Sequence, residues 1–292
     1  MAQQKVQLRK IRDFGENFSD TFQFIREEFK PLLVSFLLVA GVFILVTAIF
    51  SGLYQKSAFG FLDEIENGGF RNNEISSTFT GMYFLYLGVM LVTVTAMRTV
   101  VAVYMKYYDE HETSPTVQQV SSGFLKYFPK VFLYSIPTYF LVIVGLVFCI
   151  LPGIYFIVVF APFVFIIVSE DVSFADAFGR SFDLIKENFW LTLGIYLVAY
   201  IIFSVSSGIT GLILGLAVSA VSYFTTKELS TSVGVLMSVV SIVQYIFYII
   251  FFVSVGLHYY NLVEIKEGTG LAKRLEGLGN NINPNENIEE QY

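Results

Sequence analysis

Arg98 is the one formal charge inside an apolar run long enough to cross a membrane, in a chain of 292 residues with 18 Lys and Arg against 24 Asp and Glu. Hydrocarbon solvates charge poorly, so an ionisable residue in such a run is a functional candidate by default. A guanidinium keeps its proton to pH ~12 and above, so Arg98 can bind an anion or a lipid headgroup but cannot act as a general base. It lies seven residues before the end of its run, ~10 Å along a helix, close enough for the side chain to snorkel to the surface. A structural role therefore stands beside the ligand role. The two histidines are the other chemical candidates: His111, in Asp109-Glu110-His111-Glu112, and His258, both expected at the membrane–water boundary on the cytoplasmic side. Protein zinc sites take three or four ligands at set spacing, so His111 and His258 are weak metal candidates, and a site built from His111, Glu112, His258 and Glu264 is the one remaining route to an enzyme. Nucleophile-elbow, zinc-protease, phosphate-loop and dinucleotide motifs are absent from the sequence. The expectation is no hydrolase or oxygenase activity, no cofactor and no bound metal.

The elements that would position these residues are helices in a bilayer. The chain is 55% hydrophobic and 14% charged, against about 25% charged in soluble domains. Residues 131–169 and 188–226 contain no charge at all, and about 20 apolar residues suffice for a span. Continuous runs such as LLVSFLLVAGVFILVTAIF exclude a β-barrel, which alternates. The reading is an all-α polytopic membrane protein with six spans, at about 32–54, 79–105, 131–150, 154–169, 190–205 and 233–262, in a membrane domain over 1–264. Residues 265–292 are predicted to be a polar, disordered cytoplasmic tail. The amino terminus has no apolar core of a signal peptide, so none is expected. The single Cys149 rules out a disulfide framework, and a net charge of −6 argues against nucleic acid. Helix breaks are predicted at Pro137, Pro152-Gly153 and Pro162, and Gln244 is predicted to hydrogen-bond across helices.

Fourteen of the 18 basic residues fall on one side of this arrangement, and Lys56, Arg71 and Lys227 on the other. By the positive-inside rule both termini are cytoplasmic. The run 188–226 is too long for one span, and Ser206-Ser207-Gly208 interrupts it. One span to about 205, followed by a half-helix over about 209–222, is preferred; two spans are the alternative.

A repeat lies in the polar segments. DFGENFSDTFQFIREEF from Asp13 matches SFADAFGRSFDLIKENF from Ser173 at a constant offset of 160. Phe14, Phe18, Phe22, Ile25 and Phe29 align with Phe174, Phe178, Phe182, Ile185 and Phe189, five residues on one helical face. Asp13 and Ser173 are N-caps, with Glu16 and Asp176 completing capping boxes. A looser third copy begins at Ser114-Pro115, read as an N-cap followed by proline at N1. Amphipathic helices are thus predicted at about 8–29, 115–128 and 174–188, each followed by a two-span hairpin. The aromatic stripes are read as docking under the bundle and touching lipid at their edges.

Leu151-Pro152-Gly153-Ile154-Tyr155, Glu170, Ala177, Arg180-Ser181 and Phe189-Trp190 resemble a broad group of prokaryotic integral membrane proteins, among them the membrane domain fused to some glycerophosphodiester phosphodiesterases. The block DFGENFSDTFQFIREEFKPL looks like stand-alone members from Bacteroidetes. The resemblance covers most of the chain in layout and implies a bacterial inner-membrane location, but its motifs name no reaction. The carotene-monooxygenase label on some similar sequences implies iron on four histidines, and this chain has two. The expected function is a non-enzymatic inner-membrane scaffold or accessory protein organising membrane lipid or other membrane proteins at the cytoplasmic face. The rival is a transporter or lipid-handling protein with a cavity between the hairpins, and the third reading is an intramembrane enzyme.

Overall fold

The computed structural model describes residues 5–66, 73–111, 113–225, 229–268 and Ala272, and these residues contain helices but no strand. The helices are α1 (Phe14–Glu27), α2 (Phe29–Glu66), α3 (Asn73–His111), α4 (Val117–Phe148), α5 (Ile150–Phe160), α6 (Phe163–Glu170), α7 (Phe174–Ile185), α8 (Phe189–Thr225), α9 (Leu229–Ile246) and α10 (Tyr248–Glu267). Six stretches are long and apolar enough to cross a membrane: Phe29–Gln55, Thr80–His111, Val117–Phe148, Ile150–Glu170, Phe189–Ala217 and Ser238–Glu267. The protein is an all-α, multi-pass membrane protein.

Several boundaries differ from the sequence reading. The half-helix expected over 209–222 is part of α8, which runs unbroken from Phe189 to Thr225. In hydrocarbon every backbone group needs an internal partner, so Ser206-Ser207-Gly208 stays helical. Thr210 donates to the Ser206 carbonyl at 2.9 Å, and Gln244 Nε2 donates to the Ser207 carbonyl at 3.3 Å from the facing helix. Helix α4 likewise runs through Pro129 and Pro137, merging the helix expected at 115–128 with the span that follows it. A proline removes one backbone bond, and the buried row Val120, Phe124, Tyr127, Val131, Ser135 and Thr138 holds the axis across both. Pro137 is therefore not a break. The turn expected at Pro152-Gly153 comes earlier, at Cys149, whose extended backbone separates α4 from α5. Pro152 occupies the first turn of α5, where its missing N–H has no helical acceptor to lose. Pro162 does break its span, standing between α5 and α6. Span 6 breaks at Phe247, where the Phe247 N–H reaches the Gln244 carbonyl and the Ile250 N–H reaches the Phe247 carbonyl, both at 3.1 Å. Helix α1 starts at Phe14 and not at residue 8. All but Ala272 of the tail beyond Gly268, like Glu112, lies outside the described residues.

Three stretches are buried on every side and form the core. They are Phe252–Glu264 of α10, Phe163–Val168 of α6, and 99–105 of α3. Threonines link the spans, with Thr47 and Thr93 joining α2 to α3 at 2.5 Å and Thr95 meeting Tyr139 of α4 at 2.8 Å. Away from the charged end, α2 continues 11 residues past Gln55 to Glu66, ~16 Å of helix.

The capped helices share one register. Asp13, Thr116 and Ser173 are the N-caps, each accepting from the third helical residue: Glu16, Gln119 and Asp176. The middle cap is thus Thr116 and not Ser114. Counting from each cap, the residues at +4, +8 and +11 are buried in all three: Asn17, Thr21 and Phe24; Val120, Phe124 and Tyr127; Ala177, Ser181 and Leu184. The aromatic stripe lies roughly 90° around the helix from that face. In α1 it points outward, with Phe14, Phe22 and Phe29 at 40%, 47% and 53% exposure. In α7 it is half-covered, Phe178 and Phe182 packing on Phe160 of α5 with ring centroids 5.3 and 5.6 Å apart.

The Gln244 contact depends on Gly211, because a Cβ at that position would sit 2.2 Å from Gln244 Nε2. Gly211→Ala and Gln244→Leu are each expected to destabilise the protein by about 0.6–2 kcal/mol, the range for hydrogen bonds between membrane helices. Detergent-titration unfolding of the single and double variants should show the second change adding little to the first; full additivity would mean the two residues are not coupled.

Candidate functional site

Arg98 projects from the buried half of α3, itself half-buried, with its guanidinium 5.5 Å from the centroid of the Phe252 ring on α10. No hydrogen bond or ion pair ties it to a described residue. The ring supplies a cation–π contact, which gains strength when desolvated. Helix α3 continues 13 residues beyond Arg98 to His111, ~20 Å, so the guanidinium is deeper than its distance from the end of the apolar run implies.

A polar seam runs beside it where α1, α8 and α10 meet. Ser254 donates to Asn17 Oδ1 at 3.1 Å, and one turn further along the same face of α10 stands His258, fully buried. Thr192 Oγ1 lies 2.8 Å from the Asn188 carbonyl and 2.9 Å from His258 Nε2. A hydroxyl has one proton, and the carbonyl takes it, so Nε2 carries the imidazole proton and donates to Thr192. That tautomer leaves Nδ1 as an acceptor. Tyr196 packs edge-on to the imidazole, centroids 5.6 Å apart. Three buried atoms of this seam have no hydrogen-bond partner among the described residues: Asn17 Nδ2, Tyr196 Oη and His258 Nδ1.

The sequence reading placed both histidines at the membrane boundary. His111 is exposed, its Nδ1 3.1 Å from the Tyr107 carbonyl, but His258 is inside the bundle, because α10 is the central helix and is covered by α1 and α8. Among the described residues no group of three or more His, Cys, Asp or Glu is placed to hold a metal.

A belt of ion pairs closes this end of the bundle. Arg9 pairs with Asp109 at 2.9 Å, Lys130 with Asp171 at 2.8 Å, Arg180 with Glu170 at 3.3 Å and with Glu267, and Lys266 with Asp183 at 2.9 Å. Asp171 caps α6 in the left-handed region, φ 50°, which places its carboxylate between Lys126 and Lys130. The hydrogen bond from Lys130 holds that carboxylate below the usual range.

Two anchors here escaped sequence reasoning. Arg12 is buried: Nε donates to Asp20 at 2.8 Å, Nη1 to the Leu8 and Lys10 carbonyls at 2.7 and 3.1 Å, and Nη2 to the Gln7 carbonyl. Its backbone N–H donates to Asn261 Oδ1 at 2.9 Å, fixing the N-terminal segment to α10. Glu28 is also buried and accepts from Tyr104 at 2.6 Å and Ser114 at 2.9 Å. Glu28 lies on the row Asn17, Thr21 and Phe24 that α1 buries, a face the apolar periodicity does not mark.

No family model, no curated protein and no solved structure matches the chain. The site is therefore read from its own geometry. Arg98 can receive an anion, the seam can hold hydrogen-bonding groups, and the belt ties α7 to α6 and α10 at the charged end.

Arg12→Ala would strip partners from Asp20 and three carbonyls; removing one member of a buried pair costs about 3–5 kcal/mol. Detergent unfolding should show a loss of that order. Arg12→Lys should recover little, because an ammonium lacks the planar fork that serves several acceptors. Asp183 gives a pH signature. Hydrogen bonds from Lys186 first and Lys266 second hold its carboxyl down to about 2. A carboxyl depressed in the folded state supports folding above its unfolded value of about 4 and loses that support as the pH falls toward 2. Wild type should therefore lose thermal stability relative to Asp183→Asn on acidification from pH 5 to 2.5, and parallel curves would show that the pair contributes nothing.

Proposed function

We propose that the protein is a non-enzymatic scaffold of a bacterial inner membrane, with both termini cytoplasmic, that organises lipid or partner proteins at its cytoplasmic face. The observation that carries this reading is the outward aromatic row of α1, Phe14, Phe22 and Phe29, at the end of the bundle where the ion-pair belt gathers. Bulky aromatics beside charge suit the headgroup boundary. The buried face of α1 is held by Arg12, Asn17 and Glu28, so the outward row is held in place by the bundle. The basic-residue bias supports the cytoplasmic assignment, and the likeness to the phosphodiesterase-fused membrane domain supports a bacterial inner membrane.

A second reading, lipid or anion handling within the bundle, is favoured by Arg98, a half-buried cation whose contact is a ring and not a carboxylate. Under that reading Arg98→Gln abolishes the activity and leaves the scaffold's surface contacts unchanged.

A photo-crosslinking residue placed at Phe22 in cells should yield adducts with phospholipid or with a membrane protein. A cysteine at position 5, 111 or 280 should label only from the cytoplasmic side. A folded protein with no Phe22 adduct, or outside labelling of position 280, would overturn the proposal.

A further inference from the structure

An apolar groove of about 140 Å³ lies between the α1–α2 corner and the α9–α10 break. Its walls include Ile25, Phe29, Leu33, Ile246, Ile249 and Ile250. The break borders it: Ile246 and Phe247 line the groove on one side of the turn and Ile249 and Ile250 on the other, facing Ile25 and Phe29. Its volume is close to the roughly 150 Å³ of an apolar cavity that admits benzene, so several methylenes fit.

Cations flank one edge. Arg26 and Lys30 are exposed, four residues apart, next in sequence to the wall residues Ile25 and Phe29. Neither has an ion pair with a described residue. The neighbouring acids are turned away: Glu27 accepts from Gln23 at 2.8 Å, and Glu28 points inward to Tyr104 and Ser114. Leu33 follows Lys30 by less than one turn, ~5 Å, so the apolar walls begin beside the ammonium.

The chain contains its own contrast. At the offset of 160, Ile25, Arg26 and Phe29 of α1 correspond to Ile185, Lys186 and Phe189, and Gln23 corresponds to Asp183. Asp183 neutralises Lys186 at 2.8 Å. In α1 the acid is replaced by a neutral amide, and Arg26 is left to meet an outside anion.

We propose that this groove holds an acyl chain of an anionic glycerophospholipid whose phosphate rests on Arg26 and Lys30. Two cations against one phosphate leave an excess positive charge, which favours a headgroup with net negative charge over a zwitterionic one. The inference rests on the reading of this face as the place where lipid or partners are organised.

The probe is a nanodisc of equal phosphatidylglycerol and phosphatidylcholine, with bound lipid read by native mass spectrometry of the full chain. Wild type should retain phosphatidylglycerol preferentially. Arg26→Gln and Lys30→Gln should each reduce that preference about fivefold, since one basic residue near a membrane surface is worth ~1 kcal/mol. Gln23→Asp should reduce it without touching either the cations or the groove. Ile250→Trp, which fills the groove, should reduce bound lipid of both kinds, and Lys126→Gln, in an ion pair elsewhere at the same end, should change nothing. Lack of preference in wild type, or equal losses in the Lys126 control, would overturn the proposal. If the Phe22 adducts persist while the preference is absent, the groove assignment fails alone. If the preference holds and the adducts are missing, the groove stands and the scaffold reading fails.

Discussion

An unpaired backbone or side-chain polar group in hydrocarbon costs several kcal/mol, and most of this structure is a response to that cost. Span helices do not stop at serine and glycine, because stopping would strand carbonyls where no water can reach them. Hence α8 continues through Ser206-Ser207-Gly208, and α4 through two prolines. Where a span does break, at Cys149, Pro162 and Phe247, the freed groups are taken by neighbours three or four residues away. Side-chain hydroxyls follow the same rule: Thr47, Thr93, Thr95, Ser135 and Thr138 each bond a carbonyl or a hydroxyl within the bundle. Arg12, which serves four acceptors around a non-helical segment, is the same solution where no helix is available.

That constraint also decides which way the amphipathic helices turn. In a soluble protein the aromatic stripe of α1 would be the buried face. For a helix packed on a membrane bundle the competing surroundings are partly apolar, so burying the stripe gains less than it would from water, and the face that gains most is the one that carries hydrogen-bonding groups. Asn17, Thr21 and Glu28 therefore point into the bundle. Each capped helix buries the same positions counted from its cap: the first two are small or polar in α1 and α7 (Asn17 and Thr21, Ala177 and Ser181), while α4 buries Val120 and Phe124 there.

The six spans and the paired caps at Asp13 and Ser173 were legible in the sequence, since both depend on local properties: unbroken apolarity and an acceptor side chain three residues before its donor. The Gln244 contact was legible as a kind but not as a partner. Its acceptor is a backbone carbonyl on another helix, and sequence carries no record of which glycine lets that helix approach. His258 was misplaced because depth was counted along one helix. What buries it is α1 lying across α10, a tertiary fact fixed by Arg12 with Asn261 and by Asn17 with Ser254. The middle cap moved from Ser114 to Thr116 because Gln119, which closes the box, stands three residues after the threonine. Proline at N1 had suggested the earlier start, and the reciprocal pair prevailed.

The two close copies, α1 and α7, show how one register serves two ends. Both bury the same three positions against the core. They differ in what reaches their outward face. Helix α5 sets Tyr155 and Phe160 against the stripe of α7, and Asp183 ties Lys186 and Lys266 into the belt, so that face is closed by the protein itself. Among the described residues no second helix is set over the aromatic row of α1 as α5 is over α7, and the segment before α1 folds back through Arg12 onto α10. The row Phe14, Phe22 and Phe29 and the cations Arg26 and Lys30 thereby face outward, whereas Phe174, Phe182 and Phe189 pack on neighbouring rings and Lys186 is paired by Asp183.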